Sequence, residues 1–258
     1  MSAICLLSDF GLEDHYVGAM HAVCERDAPG VPRLDLGHGV PAGDVWTGCF
    51  LVRSTWPHLP QAAVVLAVVD PGVGTSRRAV AVEVGGRWLV APDNGLAAAV
   101  GPAQRVIGLD AVAMGLAVPS ATFHGRDLFA PAAARLARGD DPERLGAALP
   151  SSSLVDCPLP EPTAARGRLH GVVLHVDRFG NVITNLPAEA ATPGCALDCG
   201  STRVRLQTAT YSEAPTGRPV FMAGSSGLLE LAVRDGSAAD RLTLKRGDEV
   251  VLAPAETM

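Results

Sequence analysis

A chain of 258 residues that is 48% hydrophobic, with a positive mean hydropathy of +0.23, has the apolar content for one large or two modest cored domains, which excludes a disordered chain. The net charge of −6, without long runs of one sign, argues against bulk nucleic-acid binding, because neutralising phosphates takes a basic face. Apolar stretches fall well short of the ~20 residues of a membrane helix, and no basic leader precedes the first strand, so no membrane span or signal peptide is expected and a cytoplasmic setting is.

Ile4–Leu7 predicts a short strand that ends in Ser8-Asp9-Phe10-Gly11. A helix is expected over Tyr16–Glu25, capped by Asp14, with Val17, Met20, His21 and Cys24 on its inner face. A strand over Arg33–Leu36 leads to His38-Gly39-Val40-Pro41, and Asp44 caps a helix over Val45–Ser54 that Pro57 and Pro60 terminate. Val64–Val69 follows as six unbroken apolar residues, four of them valine, the signature of a strand covered on both faces as in a parallel sheet. Ala79–Val84 and Arg87–Ala91, joined by Gly85-Gly86, form a hairpin, and Arg105–Leu109 is a further strand. A loop over Ala121–Arg126 carries His124 into a helix that runs to Arg138.

Between Leu149 and Arg168, Pro, Ser and Ala dominate and periodicity disappears. The expected organisation is an α/β domain over 1–160 with a mainly parallel sheet, then a smaller all-β, barrel-like domain over 161–258. Strands of the second domain are expected at Gly171–Val176, Arg203–Leu206, Val220–Ala223, Leu228–Val233 and Glu249–Leu252.

Three expected strands end in an aspartate followed closely by glycine: Asp9, Asp70 and Asp93. Each alone reads as a turn residue, but three at one sheet edge can converge on a crevice, and in open α/β sheets ligands bind at that edge. The loop Asp70-Pro71-Gly72-Val73-Gly74-Thr75 has neither the lysine of a P-loop nor the third glycine of a dinucleotide fingerprint, and Asp70 would repel an anion. His124, between Phe123 and Gly125, suits acid–base work at neutral pH, whereas His15, His21, His38, His58, His170 and His175 lack such a setting. Of the six cysteines only Cys195 and Cys199 are close in sequence, without a second pair to complete a zinc tetrad, and no two histidines share a helix face. No metal is expected. In the second domain, Asp177-Arg178-Phe179-Gly180-Asn181 and Gly224-Ser225-Ser226-Gly227 read as polar turns whose groups suit an amino acid's ammonium and carboxylate.

Taken in order, Ser8–Gly11, Asp70–Thr75, Ala91–Gly95, Phe123–Asp127, Asp177–Asn181 and Ser225–Gly227 resemble the blocks of the S-adenosylmethionine (SAM) hydroxide adenosyltransferases, SAM hydrolases related to fluorinases and chlorinases. The resemblance spans nearly the whole chain. It implies a homotrimer with sites between subunits, SAM as substrate rather than cofactor, and attack of water-derived hydroxide on the ribose C5′ to give adenosine and L-methionine without a metal. It also implies a catalytic set of Asp70, Arg77 and His124. Asp9 would hold the ribose hydroxyls, Asp14, Asp177 and Ser225 the methionine ammonium and carboxylate, and Asn181 would face the adenine. Asn94, Thr122 and Phe123 complete the implied substrate-binding set. Two alternatives remain open at this point: a chlorinase-like halogenase, which in the family lacks the Asp and His found here at 70 and 124, and a SAM- or adenosine-binding module without turnover.

Overall fold

A computed structural model describes residues 2–255, and the chain divides into two compact units, Met1–Pro158 and Leu159–Met258. The first unit contains β1 (Ala3–Ser8), α1 (Tyr16–Asp27), β2 (Arg33–Gly37), α2 (Val45–Thr55), β3 (Ala63–Val68), β4 (Ala79–Val84), β5 (Arg87–Pro92), β6 (Arg105–Leu109), α3 (Ala130–Ala137) and β7 (Gly146–Ala148). Its sheet has the order β2-β1-β3-β5-β4-β6-β7. The pairs β2–β1, β1–β3 and β3–β5 are parallel, and those beyond β5 are antiparallel.

Every residue of β1 and β3 is buried, as the unbroken apolar runs predict. On one face Ile4, Leu6, Val64 and Leu66 join a cluster with Met20 and Cys24 of α1 and Ala130 and Ala133 of α3. The alternate residues Cys5, Leu7, Val65 and Ala67 are buried as well. The polarity of the sheet reverses at the β4–β5 hairpin, where Gly85 and Gly86 take φ of +59° and +77°. Two successive positive φ values match the right-handed twist of the flanking strands and favour glycine.

α2 begins as expected, with Asp44 Oδ1 accepting from the Thr47 N–H at 3.1 Å. α1 differs in two ways. Its cap position falls on His15, without a side-chain cap bond, and Asp14 is exposed. The buried face is Val17, Met20, Val23 and Cys24, and His21 turns away from it to bond Asp35. The expected helix after His124 opens as a single π turn over Gly125–Phe129 before α3.

The strand pairs of the second unit are antiparallel: β8 (Thr163–Ala165), β9 (Arg168–Val176), β10 (Val182–Pro187), β11 (Ala196–Cys199), β12 (Thr202–Val204), β13 (Pro219–Ala223), β14 (Leu228–Val233) and β15 (Glu249–Ala253), with the short α4 (Ala238–Leu242) before β15. Seven strands follow the order β12-β11-β15-β9-β10-β14-β13, with β8 beside β9. A bridge between Gln207 and Phe221 links the chain beyond β12 to β13, so the sheet nearly closes on itself. Val173, Leu186, Leu197, Phe221, Leu231 and Leu252 fill its interior. Among the described residues, no helix is long and apolar enough to cross a membrane.

Candidate active site

The carboxyl ends of β1, β3 and β5 lie at one edge of the sheet, because the three strands are parallel neighbours. Asp9, Asp70 and Asp93 follow these ends. Two of them reach a common cavity of about 250 Å³, lined by Asp9, Phe10, Asp70, Thr122, Phe123 and His124. Ala42, Val68, Val73 and Gly125 also line it; small and apolar, they carry no signal in the sequence. Clefts of about 500 and 540 Å³ exist elsewhere in the two units, and neither brings a carboxylate, a guanidinium and an imidazole together.

The loop after β3 doubles back on itself. Val73 N–H donates to the Asp70 carbonyl at 3.3 Å, and the Thr75 hydroxyl donates to the Gly72 carbonyl at 2.7 Å. At Gly72 a Cβ would stand 3.2 Å from Arg77 Cγ, and at Gly74, where φ is +78°, a Cβ would stand 2.5 Å from the Ala121 carbonyl oxygen. Only glycine meets both the conformation and the close approach. The turn delivers Arg77 onto Asp70 as a fork: Nε donates to Oδ1 at 2.8 Å and Nη2 donates to Oδ2. The same Nη2 lies 2.9 Å from His124 Nδ1, and the guanidinium sits 5.3 Å from the centre of the Phe129 ring. Asp70 and Arg77 side chains are 6% and 10% exposed, so the pair is held in low dielectric. The three residues expected to act together are in direct contact.

Burial, reinforced by the Arg77 charge, holds the His124 pKa below its ordinary value against the opposing pull of Asp70 and Asp127. Asp9 moves the other way. Burial raises its pKa, the Gly43 N–H donating to Oδ2 at 2.7 Å opposes that rise, and the Asp70 charge adds to it. Phe123 packs edge-on against Phe10 and Tyr16, with ring centres 5.8 and 5.1 Å apart, and forms an apolar wall beside the polar groups.

Other expected positions fall elsewhere. Asp93 is buried against Arg78, which donates through Nε to Oδ2 at 2.8 Å, while Val155 N–H donates to Oδ1 at 2.9 Å. It does not line the cavity, so the expected convergence of three carboxylates reduces to two. Asn94 uses its amide to hold the Val69 carbonyl at 2.9 Å and accepts from Leu96 N–H. Asp14 lies exposed before α1.

In the second unit, Asp177 Oδ1 accepts from the N–H groups of Phe179 and Asn181 at 2.8 and 2.9 Å, and Oδ2 accepts from the Asn181 amide at 3.0 Å. This fixes the turn between β9 and β10. Ser225 is exposed on the turn between β13 and β14. Glu230 was not singled out by the sequence, although an acid inside Leu228-Leu229-Glu230-Leu231 is a visible anomaly. It is buried, accepts from Tyr211 Oη at 2.5 Å, and its pKa is raised by burial, with the Asp177 charge adding to that rise and the Tyr211 bond opposing it. Burial and then Glu230 push the Tyr211 phenol up to about 12.

A half-buried Asp–Arg–His cluster beside an aromatic wall, at the carboxyl edge of a partly parallel sheet, has the make-up of an enzyme site for a small organic substrate. Residues 4–146 match the SAM hydroxide adenosyltransferase N-terminal domain and residues 171–251 the corresponding C-terminal domain. The chain is 46% identical to an (R)-S-adenosyl-L-methionine hydrolase of Thermus thermophilus, over 98% of this chain and all of that one. It is 28% identical to a fluorinase of an Actinoplanes species, over 98% and 97% of the two chains. A solved structure of a conserved protein from Thermotoga maritima superposes with a TM-score of 0.89 at 32% identity, covering 97% of this chain and 100% of that one. The chain belongs to the SAM hydroxide adenosyltransferase family, related to the fluorinases.

Proposed function

We propose that this chain hydrolyses S-adenosyl-L-methionine to adenosine and L-methionine, with water attacking the ribose C5′. The observation that carries the chemistry is the Arg77 Nη2 shared between Asp70 and His124 beside the cavity. The substrate class rests on the family and on the hydrolase relative, whose name specifies the (R) sulfonium epimer; the proposal extends to that epimer.

In this reaction an O–C5′ bond forms as C5′–S breaks. The C–S electron pair neutralises the sulfonium, so methionine departs as a neutral thioether and needs no proton. What the protein supplies is an oriented water that loses a proton during attack. A guanidinium has donors only, so its contact with His124 makes Nδ1 the acceptor and leaves the ring proton on Nε2. In that tautomer His124 donates toward the attacking oxygen and does not take its proton. Asp70 is the proton acceptor, since each carboxylate oxygen keeps a lone pair beyond the one Arg77 occupies. Bulk water has a pKa of ~15.7, so proton loss is concerted with attack rather than complete before it. No metal is required at the reacting carbon.

Asp9 is assigned to the ribose hydroxyls, with Phe123 and Thr122 beside the nucleoside; Asp177, Asn181 and Ser225 are assigned to the methionine and adenine ends of a SAM bound by a neighbouring subunit in a homotrimer. Six cysteines without a disulfide among them suit a reducing cytoplasm. The test is turnover of SAM in oxygen-18 water. The expected result is label in the 5′-hydroxyl of adenosine, with no 5′-halogenated adenosine when chloride or fluoride is added. Unlabelled adenosine, or a halogenated product, would overturn the reading.

A further inference from the structure

His21 of α1 meets Asp35 and His38, three residues apart at the end of the edge strand β2, where the helix passes that strand. His21 Nε2 is 2.8 Å from Asp35 Oδ1, and His38 Nε2 is 3.2 Å from the same oxygen. One donor atom from each residue falls within 4.8 Å of the other two. These separations approach those of ligands on a metal at ~2.0–2.2 Å, where neighbouring donor atoms stand somewhat more than ~3 Å apart. The Asp35 side chain is 47% exposed, which leaves an open side for water ligands.

The His38 side chain is 3% exposed, and its Nε2 makes no aligned hydrogen bond despite its closeness to Asp35. A buried ring nitrogen left unsatisfied is destabilising unless a ligand takes its lone pair. The other nitrogen, Nδ1, lies 2.7 Å from the fully buried Ser8 hydroxyl. An Nδ1–H donating to that oxygen leaves the Nε2 lone pair aimed at the cluster. Metal-bound histidines are oriented this way, with the second nitrogen donating to an oxygen beyond the metal.

We propose that His21, Asp35 and His38 bind one divalent transition-metal ion of the zinc class, in a structural role outside the reaction. Two imidazoles and a carboxylate suit zinc or cobalt better than the all-oxygen preference of calcium or magnesium. The ion would tie α1 to β2. It would also brace the loop ends of the catalytic unit, because Ser8 directly precedes Asp9 and the His38 carbonyl accepts from Gly11 N–H at 2.8 Å.

The test is zinc added alone to chelator-stripped full-length protein, followed by calorimetry and by metal content after dialysis. The expected result is one ion per chain, a raised thermal midpoint, and cobalt absorption bands of a site with nitrogen and oxygen ligands. His21→Ala, on the helix surface, should weaken zinc binding at least ~10-fold and abolish the thermal shift, whereas His170→Ala, removing the imidazole of an exposed His–Glu pair in the second unit, should change neither. Asp35→Asn should behave as His21→Ala does, and His21→Ala alone decides the matter if that variant does not fold. Absence of zinc binding in the micromolar range, or equal affinity in His21→Ala and the parent, would overturn the proposal.

Discussion

Arg77 and Arg78 are consecutive, and each bonds an aspartate at the end of a neighbouring parallel strand, yet the two pairs sit in different surroundings. The Asp93 side chain is 1% exposed and both its oxygens are occupied, by Arg78 and by the Val155 N–H. Arg78 also donates to the Ser153 hydroxyl at 3.1 Å and to its carbonyl, so the pair fastens the 151–155 segment to the sheet. Asp70 is bonded by Arg77 alone among the described side chains, and the spare capacity of Asp70 and of the shared Nη2 faces a cavity and a histidine. Local sequence is nearly the same for both arginines. The Asp93 carboxylate is sealed from solvent, whereas Asp70 keeps its remaining lone pairs beside a cavity, which is the capacity the proposed reaction draws on.

The sharpest way to break this comparison is to neutralise each carboxylate. Asp70→Asn should lower kcat by about 10²–10⁴-fold, the usual reach of a positioned proton acceptor, and should also lower the thermal midpoint, because the buried Arg77 loses its charged partner. Asp93→Asn should leave kcat nearly intact while lowering stability by about 1–3 kcal/mol as the Arg78 and Val155 donors lose a charged acceptor. Chemical denaturation and steady-state kinetics on both variants decide it. Equal kinetic losses would erase the distinction.

The next effect is at His124. His124→Ala should cost about 10²-fold in kcat, the lower end for one donor aimed at a reacting oxygen, with SAM affinity by calorimetry little changed. Because the folded-state pKa lies below the ordinary value of ~6.5, the neutral ring persists into mildly acidic solution, and the acid limb of kcat/KM should fall below that value. The same sign governs stability. This residue's contribution is intact above ~6.5 and is lost as pH falls through the lower folded-state value, so a His124→Ala variant should show a flatter stability profile in that window.

The smallest expected change is in the turn itself. Gly74→Ala puts a methyl group against the Ala121 carbonyl and forces an L side chain to φ +78°, at a cost of about 1–3 kcal/mol. It should also loosen Arg77 from Asp70, so a modest fall in kcat should accompany the lower thermal midpoint. A Gly72 or Gly74 substitution that left both values unchanged would show that the turn does not set the Arg77 position.

Much of the first unit was legible because its signals are local. The unbroken valine run of β3, the Gly85-Gly86 turn and the Asp44 cap each depend on neighbours in sequence, and each forms as expected. The Asp70–Arg77–His124 grouping was reached through resemblance, and the turn that closes it follows from glycine conformations. The partition of Asp93 from Asp70 was not legible. It depends on Val155, some 60 residues on, donating a backbone group that any residue could supply. His21 shows the same limit. Helical spacing placed it on the inner face, but the buried stripe runs through Val23 instead and an acceptor on β2 decides its partner. β7, β8 and β11 are too short for a period-two pattern to emerge, and the π turn at Gly125–Phe129 adds a residue that no 3.6-residue periodicity reveals.

The loop after β3 leaves the sheet at its carboxyl edge and re-enters at the same edge as β4, so no crossover helix lies between Asp70 and Arg77. Their contact spans 7 positions and the Arg78–Asp93 contact 15, whereas Arg77 reaches His124 across 47. Contacts of short span close early, because little chain entropy is lost in making them. Both arginine pairs therefore lie within the β3–β4–β5 segment and close short loops, while the imidazole comes from the chain before α3. The ring joins the charged pair through the contact that spans the most chain and so costs the most closure entropy.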